Sequence, residues 1–343
     1  MHTINLTAST GESSIYLGEK IDNIKKYLPL DKKIIVITDE HILQFYSDHL
    51  KDFQIIQIGL GEKNKTLQTL EFIYEEFIRL EVDRSSFILA VGGGIVCDIV
   101  GFAASSFMRG LAFGFVSTTL LSQVDASVGG KNGVNLKGYK NMIGVFAQPK
   151  FVICDISMLK TLDRKQFISG FAEIIKAAAI RDAELFQYME DNYEKALALN
   201  EEVLEHMIYK SVFIKATVVQ NDEKETGERR ILNFGHTFAH SIEKNLGTLH
   251  GEAVSIGIVL ASAASVKLGL LSKDVADRIT QLLIKYELPI KLNLEKNKVF
   301  EAVLKDKKRE GNILNLVLLN KMGNAIVQKV SIKEMEGIVD DLC

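Results

Sequence analysis

Residues Ser86 to Ala104 read SFILAVGGGIVCDIVGFAA. An apolar run ends in three glycines, and a second apolar run follows at once with Asp98 one turn in. The first run has the length and composition of a buried strand, and the second begins a helix. Strand, glycine triplet and helix start, in that order, let backbone N–H groups approach a pyrophosphate without Cβ obstruction. The pattern is not GxGxxG, so Gly92, Gly93 and Gly94 taken alone also admit a plain tight turn.

Working outward, Lys33 to Thr38 (KIIVIT), Phe53 to Ile58 (FQIIQI), Ala112 to Ser117 (AFGFVS) and Phe151 to Cys154 (FVIC) are further short β-branched or aromatic runs. Leu70, Ile73, Tyr74, Phe77 and Ile78 recur at spacings of three and four, with Glu71, Glu75 and Glu76 opposite, as in an amphipathic crossover helix. Alternating strands and helices predict a Rossmann-like, mostly parallel sheet whose ligands sit beyond the carboxyl ends of its strands. After Asp155 the periodicity is almost wholly helical until a small hairpin, Asn315 to Leu319 with Ala325 to Val330. The expected fold is therefore α/β, with a nucleotide-binding domain over residues 1–155 and a second, mainly helical domain over residues 156–343.

Composition fits two such domains. The chain has 343 residues, against about 100 to 200 for one ordinary domain, which makes a cleft between two domains the expected place for a site. Forty-one Lys and Arg against 44 Asp and Glu give a net charge of −3, so there is no chain-wide electrostatic case for nucleic acid or an anionic membrane. Met1 to Gly11 lacks the basic start and apolar stretch of a targeting segment. The run Ala253 to Val266 is interrupted by Ser255, Ser262 and Ser265 and is shorter than the roughly 20 residues of a membrane span, so it reads as a buried core helix. Three scattered cysteines, Cys97, Cys154 and Cys343, fit a reducing cytoplasm rather than a disulfide framework.

Three groups of residues carry candidate chemistry. Asp39 closes the first of the predicted parallel strands, where a ribose hydroxyl could be accepted, and a permissive loop with Gly59, Gly61, Glu62 and Lys65 follows the second. Asp125 to Asn141 (DASVGGKNGVNLKGYKN), next to Thr118 and Thr119, is a glycine-rich loop carrying Lys131, Lys140 and Asn141, suited to a phosphate or polyol and equally readable as a solvated surface loop. Three of the seven histidines, His236, His240 and His250, fall within fifteen residues. His236 and His240, four apart, share one helix face with the spacing of two metal ligands, and Glu173 is a carboxylate on an otherwise apolar helix face. An ion pair of Glu173 with Lys176 or Arg181 is the plain alternative. Lys215, Arg229 and Lys307 are single basic residues that would have to meet others to matter.

Taken together, Gly92 to Asp98 (GGGIVCD), Met108 to Gly110 (MRG), Ser117 to Lys131 (STTLLSQVDASVGGK), Lys140 to Gly144 (KNMIG), Ser169 to Lys176 (SGFAEIIK), Asp222 to His240 (DEKETGERRILNFGHTFAH) and His250 to Ala253 (HGEA) closely resemble the 3-dehydroquinate synthase family. The resemblance runs from about residue 32 to about residue 330. It implies an enzyme that converts 3-deoxy-D-arabino-heptulosonate 7-phosphate into 3-dehydroquinate and phosphate, with NAD and a divalent metal, zinc or cobalt, as cofactors. The metal ligands it implies are Glu173, His236 and His250, which moves His240 from the ligand set to the substrate. Substrate and phosphate contacts carry over to Arg109, Asp125, Lys131, Asn141, Lys176, Lys215, Arg229, Asn233, His240 and Lys307. NAD contacts carry over to Asp39, Glu62, Lys65, Gly92, Gly93, Gly94, Asp98, Thr118, Thr119, Lys131, Lys140 and the stretch Leu159, Lys160 and Thr161. Cys97 and Ala239 stand where many members have glycine, and Phe234 where leucine is frequent.

The family's chemistry accounts for these residue types. Oxidation of the carbon 5 alcohol acidifies the carbon 6 proton, so phosphate can be eliminated; re-reduction, ring opening and aldol closure complete the reaction with no net redox change. Lys and Arg would hold the departing dianion. Metal-dependent alcohol dehydrogenases such as glycerol dehydrogenase share the glycine triplet and a helical metal-binding domain, but have no leaving phosphate for such a cluster. Other sugar phosphate cyclases, such as 2-deoxy-scyllo-inosose synthase, differ in the sugar. The expected partners are a small sugar phosphate and, for assembly, a second copy of the chain as a homodimer; neither nucleic acid nor membrane is expected.

Overall fold

The N-terminal strands β1 (His2–Ala8) and β2 (Gly11–Leu17) form an antiparallel hairpin that is not among the expected strands. Its buried positions alternate, Ile4 and Leu6 against Ile15 and Leu17, as one covered sheet face requires. The five expected runs become β3 (Ile34–Asp39), β4 (Gln54–Ile58), β5 (Phe87–Gly92), β6 (Ala112–Ser117) and, after a second hairpin, β9 (Phe151–Cys154). The computed structural model describes residues 1–291, 309–310 and 313–342.

The seven-stranded sheet has the order β1-β2-β9-β6-β5-β3-β4, with every pairing parallel except β1 with β2. From β3 the chain steps outward to β4 and then back across to β5, which makes the β3–β5 boundary a topological switch point. The two strands are held in register there, with the Thr38 hydroxyl donating to the Val91 carbonyl at 2.7 Å. Helices α1 (Glu40–Leu50), α2 (Leu67–Arg79) and α3 (Gly94–Ser106) supply the crossovers. The predicted apolar face of α2 buries Leu70, Ile73 and Phe77, but Ile78 is 70% exposed.

The stretch read as a glycine-rich loop is in part a hairpin, β7 (Lys131–Leu136) with β8 (Tyr139–Phe146). Gly133 and Gly144 face each other in it. A Cβ on Gly133 would lie 2.4 Å from the Ile143 carbonyl oxygen, and one on Gly144 would lie 2.3 Å from that of Asn132. These glycines permit close strand approach, although composition marks them as loop residues.

Beyond β9 come α4 (Arg164–Arg181), α5 (Ala183–Leu197), α6 (Glu201–Asn221), α7 (His236–Leu246), α8 (His250–Lys267) and α9 (Lys273–Lys285). A small antiparallel sheet, β10 (Arg309–Glu310), β11 (Ile313–Lys321) and β12 (Asn324–Ser331), then leads to α10 (Ile332–Leu342). The serine-interrupted apolar run lies inside α8, where Ser255, Ser262 and Ser265 are buried with the apolar residues, as the core-helix reading expects. Among the described residues no helix is long and apolar enough to cross a membrane.

The chain divides into two compact units. The first contains Met1–Asp163 and Leu204–Lys224, and the second Arg164–Val203 and Glu225–Cys343. Most of α6 therefore belongs to the unit of the parallel sheet although both its neighbours in sequence belong to the helical unit.

Candidate functional site

In the second unit, α4, α7 and α8 bring three side chains together. Glu173 lies two turns into α4, while His236 and His250 are the first residues of α7 and α8. Glycines make this possible. Gly235 precedes α7 at φ +80°, and its added Cβ would sit 2.8 Å from the Ile258 nitrogen. A Cβ on Gly251 would lie 1.8 Å from the Ser169 carbonyl oxygen, so α8 starts pressed against α4. The Gly251 N–H donates to the Ser169 hydroxyl at 3.0 Å, and the Leu249 N–H donates to Glu252 at 3.1 Å, which fixes the first turn of α8.

Glu173 Oε1 lies 3.2 Å from His250 Nε2 and 3.6 Å from His236 Nε2, and the three prospective ligand atoms are all within 4.8 Å of one another. His250 Nδ1 is bonded to Glu243 at 2.6 Å, and His236 Nδ1 lies 3.3 Å from the Phe234 carbonyl. The outer ring nitrogens are thus occupied and the inner ones converge, as imidazoles that hold a cation require. A carboxylate with two imidazoles, leaving positions open, fits a catalytic divalent cation. Glu173 Oε2 also pairs with Lys176, as the plain ion-pair reading expects, while Oε1 is left directed at the two imidazoles. Burial alone would raise the Glu173 carboxyl, but the Lys176 charge and the His250 bond outweigh it and hold it at about 2. Burial alone would lower His250, yet its bonds to Glu173 and Glu243 push it up to about 10.

Spacing alone pairs His236 with His240, whereas the group assembled among the described residues has His250 in that place. His240 lies one turn further along α7, with its side chain outside the described residues, and Lys307 lies outside them altogether. Arg229 and Asn233 sit on the short 3-10 turn Glu228–Asn233, where Arg229 is buried. The Asn233 amide donates to Glu225, a residue the sequence reading passed over. Its backbone has φ +61°, and with Asp222, Glu223 and Glu228 close by, nothing in the sequence singles it out.

In the first unit the glycine triplet closes β5 and opens α3. None of Gly92, Gly93 and Gly94 has a positive φ, so close packing is the reason for glycine here. A Cβ on Gly93 would meet the Thr119 methyl at 2.9 Å, and one on Gly94 the Ala126 side chain at 2.8 Å. No side chain caps the N-terminus of α3 and no acid stands in its first turn. Open N–H groups at a helix start over the sheet's switch point fit a dinucleotide pyrophosphate. Thr118 is buried, and its N–H donates to the Gly92 carbonyl at 3.1 Å. Asp39 ends the neighbouring strand and accepts from the Ile42 N–H at 3.1 Å; burial raises its pKa against that bond.

Glu62, Lys65, Asp98 and Asn141 come together. Lys65 pairs with Asp98 and donates to Asn141 at 2.6 Å. Asn135, which the sequence reading did not single out, links them by donating to Glu62 at 2.8 Å and accepting from the Asn141 N–H at 2.9 Å. Burial raises the Asp98 carboxyl, with Lys65 acting against it. Lys215 on α6 donates to both the carbonyl and the carboxylate of Asp125, at 2.6 and 2.5 Å. Lys131 and Lys140 are exposed on the β7–β8 hairpin. Arg109 is exposed at the end of a strained turn in which Met108, Arg109 and Gly110 all have positive φ. Leu159, Lys160 and Thr161 lie on the 3-10 turn after β9, where Leu159 is buried and the Thr161 hydroxyl meets Tyr46 at 2.8 Å.

Comparison with known proteins bears on both units. Residues 55–169 match the family model for the 3-dehydroquinate synthase N-terminal portion and residues 170–309 that for the C-terminal portion. The 3-dehydroquinate synthase of Campylobacter concisus (strain 13826) is 41% identical over 341 residues, covering 96% of each chain. A solved 2-deoxy-scyllo-inosose synthase, complexed with carbaglucose-6-phosphate, NAD+ and Co2+, is 26% identical with a TM-score of 0.88, covering 99% of this chain and 100% of that one. A 2-epi-5-epi-valiolone synthase from Streptomyces hygroscopicus subsp. jinggangensis 5008, with NAD+ and Zn2+ bound, is 26% identical with a TM-score of 0.87 over 96% of each chain. Matched through both portions, and at 41% identity along almost its whole length, the chain belongs to the 3-dehydroquinate synthase family.

Proposed function

We propose that the protein is a 3-dehydroquinate synthase, a carbon–oxygen lyase of the shikimate pathway that converts 3-deoxy-D-arabino-heptulosonate 7-phosphate into 3-dehydroquinate and phosphate. The observation that carries this reading is the convergence of Glu173, His236 and His250 beside Lys176 in a chain of this family. When bound, NAD would supply reversible oxidation of the carbon 5 alcohol, and zinc or cobalt would supply Lewis acidity at its oxygen. Glu173, His236 and His250 would hold the cation, and Lys176 balances the charge of Glu173. Gly92, Gly93 and Gly94 with the start of α3 would bind the pyrophosphate, and Asp39 a ribose hydroxyl.

The remaining site residues act on the sugar phosphate in this proposal. Lys131, Lys215 and Arg229 stabilise the phosphate as it leaves, since its charge becomes concentrated when the carbon–oxygen bond breaks. Asp125 sets the direction of Lys215 through two hydrogen bonds. Arg109, Asn141, Asn233, His240 and Lys307 complete the contacts in this scheme. Cys97 and Cys154 are buried free thiols, which suits the cytoplasm, where we place the protein.

One reaction tests the whole reading. With heptulosonate phosphate and a trace of NAD, released phosphate should equal substrate consumed, with no lasting rise in NADH absorbance. Stoichiometric NADH without phosphate would overturn the proposal in favour of a dehydrogenase. Phosphate release only from a different sugar phosphate would move the chain to another cyclase activity.

A further inference from the structure

We infer that Glu243 is a positioning residue for the metal centre: it fixes the ring and tautomer of His250 so that Nε2 is presented to the cation. The inference deepens the proposed function and rests on its metal reading. His236 and Glu243 are seven residues apart on α7, two helical turns, so they share one face. The first supplies a prospective ligand atom, and the second reaches across to the partner ligand at the start of α8. The Glu243 carboxylate accepts from His250 Nδ1 at 2.6 Å, which keeps a proton on that nitrogen, so the one a cation displaces is on Nε2, directed at Glu173 3.2 Å away.

Glu243 occupies an unfavourable place for an acid. It is buried, and it stands in the last turn of α7, where the negative end of the helix dipole disfavours a carboxylate. Its bond to His250 offsets this cost. The other imidazole is oriented by a weaker partner, the Phe234 carbonyl at 3.3 Å. A charged acceptor raises the donor strength of the imidazole behind it, which a neutral carbonyl does less well. His250 is thus expected to be the stronger nitrogen ligand, with Glu243 the reason.

The test uses the full-length protein stripped of metal. Zinc affinity is measured by competition with a chromophoric chelator for wild type, Glu243→Ala and Glu243→Gln, together with the visible spectrum of each cobalt-loaded form and the unfolding midpoint of each metal-free form. Glu243→Ala should bind zinc about 10- to 100-fold more weakly, the usual effect of losing such a partner. Its cobalt bands should shift as the ring loses its fixed orientation. Glu243→Gln keeps an acceptor without the charge, so its affinity should fall between the two. If Glu243 only packs α7 against α8, the metal-free unfolding midpoint will drop while zinc affinity and cobalt spectrum stay at wild-type values, and the inference is overturned. Should Glu243→Ala fail to fold, Glu243→Gln decides, and unchanged affinity with an unchanged spectrum overturns the inference. A wild-type protein with no measurable zinc or cobalt binding would instead overturn the metal reading itself.

Discussion

His250 and His240 should respond differently to removal. His250→Ala deletes one of three converging ligand atoms, so metal content after purification should fall, and added zinc should restore little activity. His240→Ala should keep its metal and lose turnover. Atomic absorption on the two variants checks this, and equal metal loss would reinstate the pair that helix spacing suggests. Lys131 and Arg229 are assigned to the leaving phosphate, whose charge is largest late in the reaction. Neutral replacements should therefore lower turnover on the order of 100- to 1,000-fold while changing NAD affinity much less. Loss of NAD binding and turnover in equal measure would move both residues away from the phosphate. Much of this was readable at the level of single residues: clustering picked out the histidines, and the anomaly of an acid on an apolar face picked out Glu173. Glu225 and Asn135 were not readable, because each acts through another side chain and carries no spacing pattern of its own, and the two-turn spacing of Glu243 from His236 does not tell that it reaches His250.

Elements were legible where their periodicity was strong and their glycines few. Four of the five parallel strands, β3, β5, β6 and β9, emerged because both faces are covered and their residues are nearly all apolar, and the edge strand β4 emerged from its isoleucines although Gln54 and Gln57 are exposed. The β7–β8 hairpin has the composition of a loop, with glycine, asparagine and lysine, and the glycines are there for close strand approach, which only the folded backbone reveals. Glu223 ties two other connections together. Ser9 and Thr10 in the β1–β2 turn donate to it, as does Gln148 between β8 and β9, the last at 2.8 Å. Burial would raise this carboxyl, but the donated bonds outweigh it and leave the pKa below the ordinary 4.5. Its contribution is therefore present above the unfolded pKa and is lost as pH falls through the lowered folded value. Glu223→Ala should cost about 2 to 3 kcal/mol at pH 7. In urea titrations the gap from wild type should narrow below about pH 4.5. A gap that stays constant down to pH 3 would mean the carboxylate charge contributes nothing.

For the molecule as a whole, the change of texture after Asp155 marks where helical sequence begins, but hydropathy holds no sign that residues 204–224 return to the first unit. The apolar positions of α6 look the same whether they face helices or a sheet, since a helix records which of its sides is buried and not what buries it. Fragment stability tests the return directly. A fragment ending at Asp163 lacks both Lys215 and Glu223, and should be markedly less soluble and less cooperative in unfolding than one ending at Lys224. Equal behaviour of the two fragments would show that the first unit closes without α6.

The same return has a consequence for synthesis. As the chain leaves the ribosome, the strands of the parallel sheet are all present once Cys154 has emerged, yet Glu223, the acceptor that joins its N-terminal turn to the β8–β9 connection, arrives nearly seventy residues later. During that interval the first unit lacks the helix that supplies Lys215 and Glu223, and the first helices of the other unit are already outside. The window in which this enzyme is open to capture by chaperones or by other unfinished chains is thus set by the position of one helix in the sequence, and moving α6 earlier by circular permutation would shorten it.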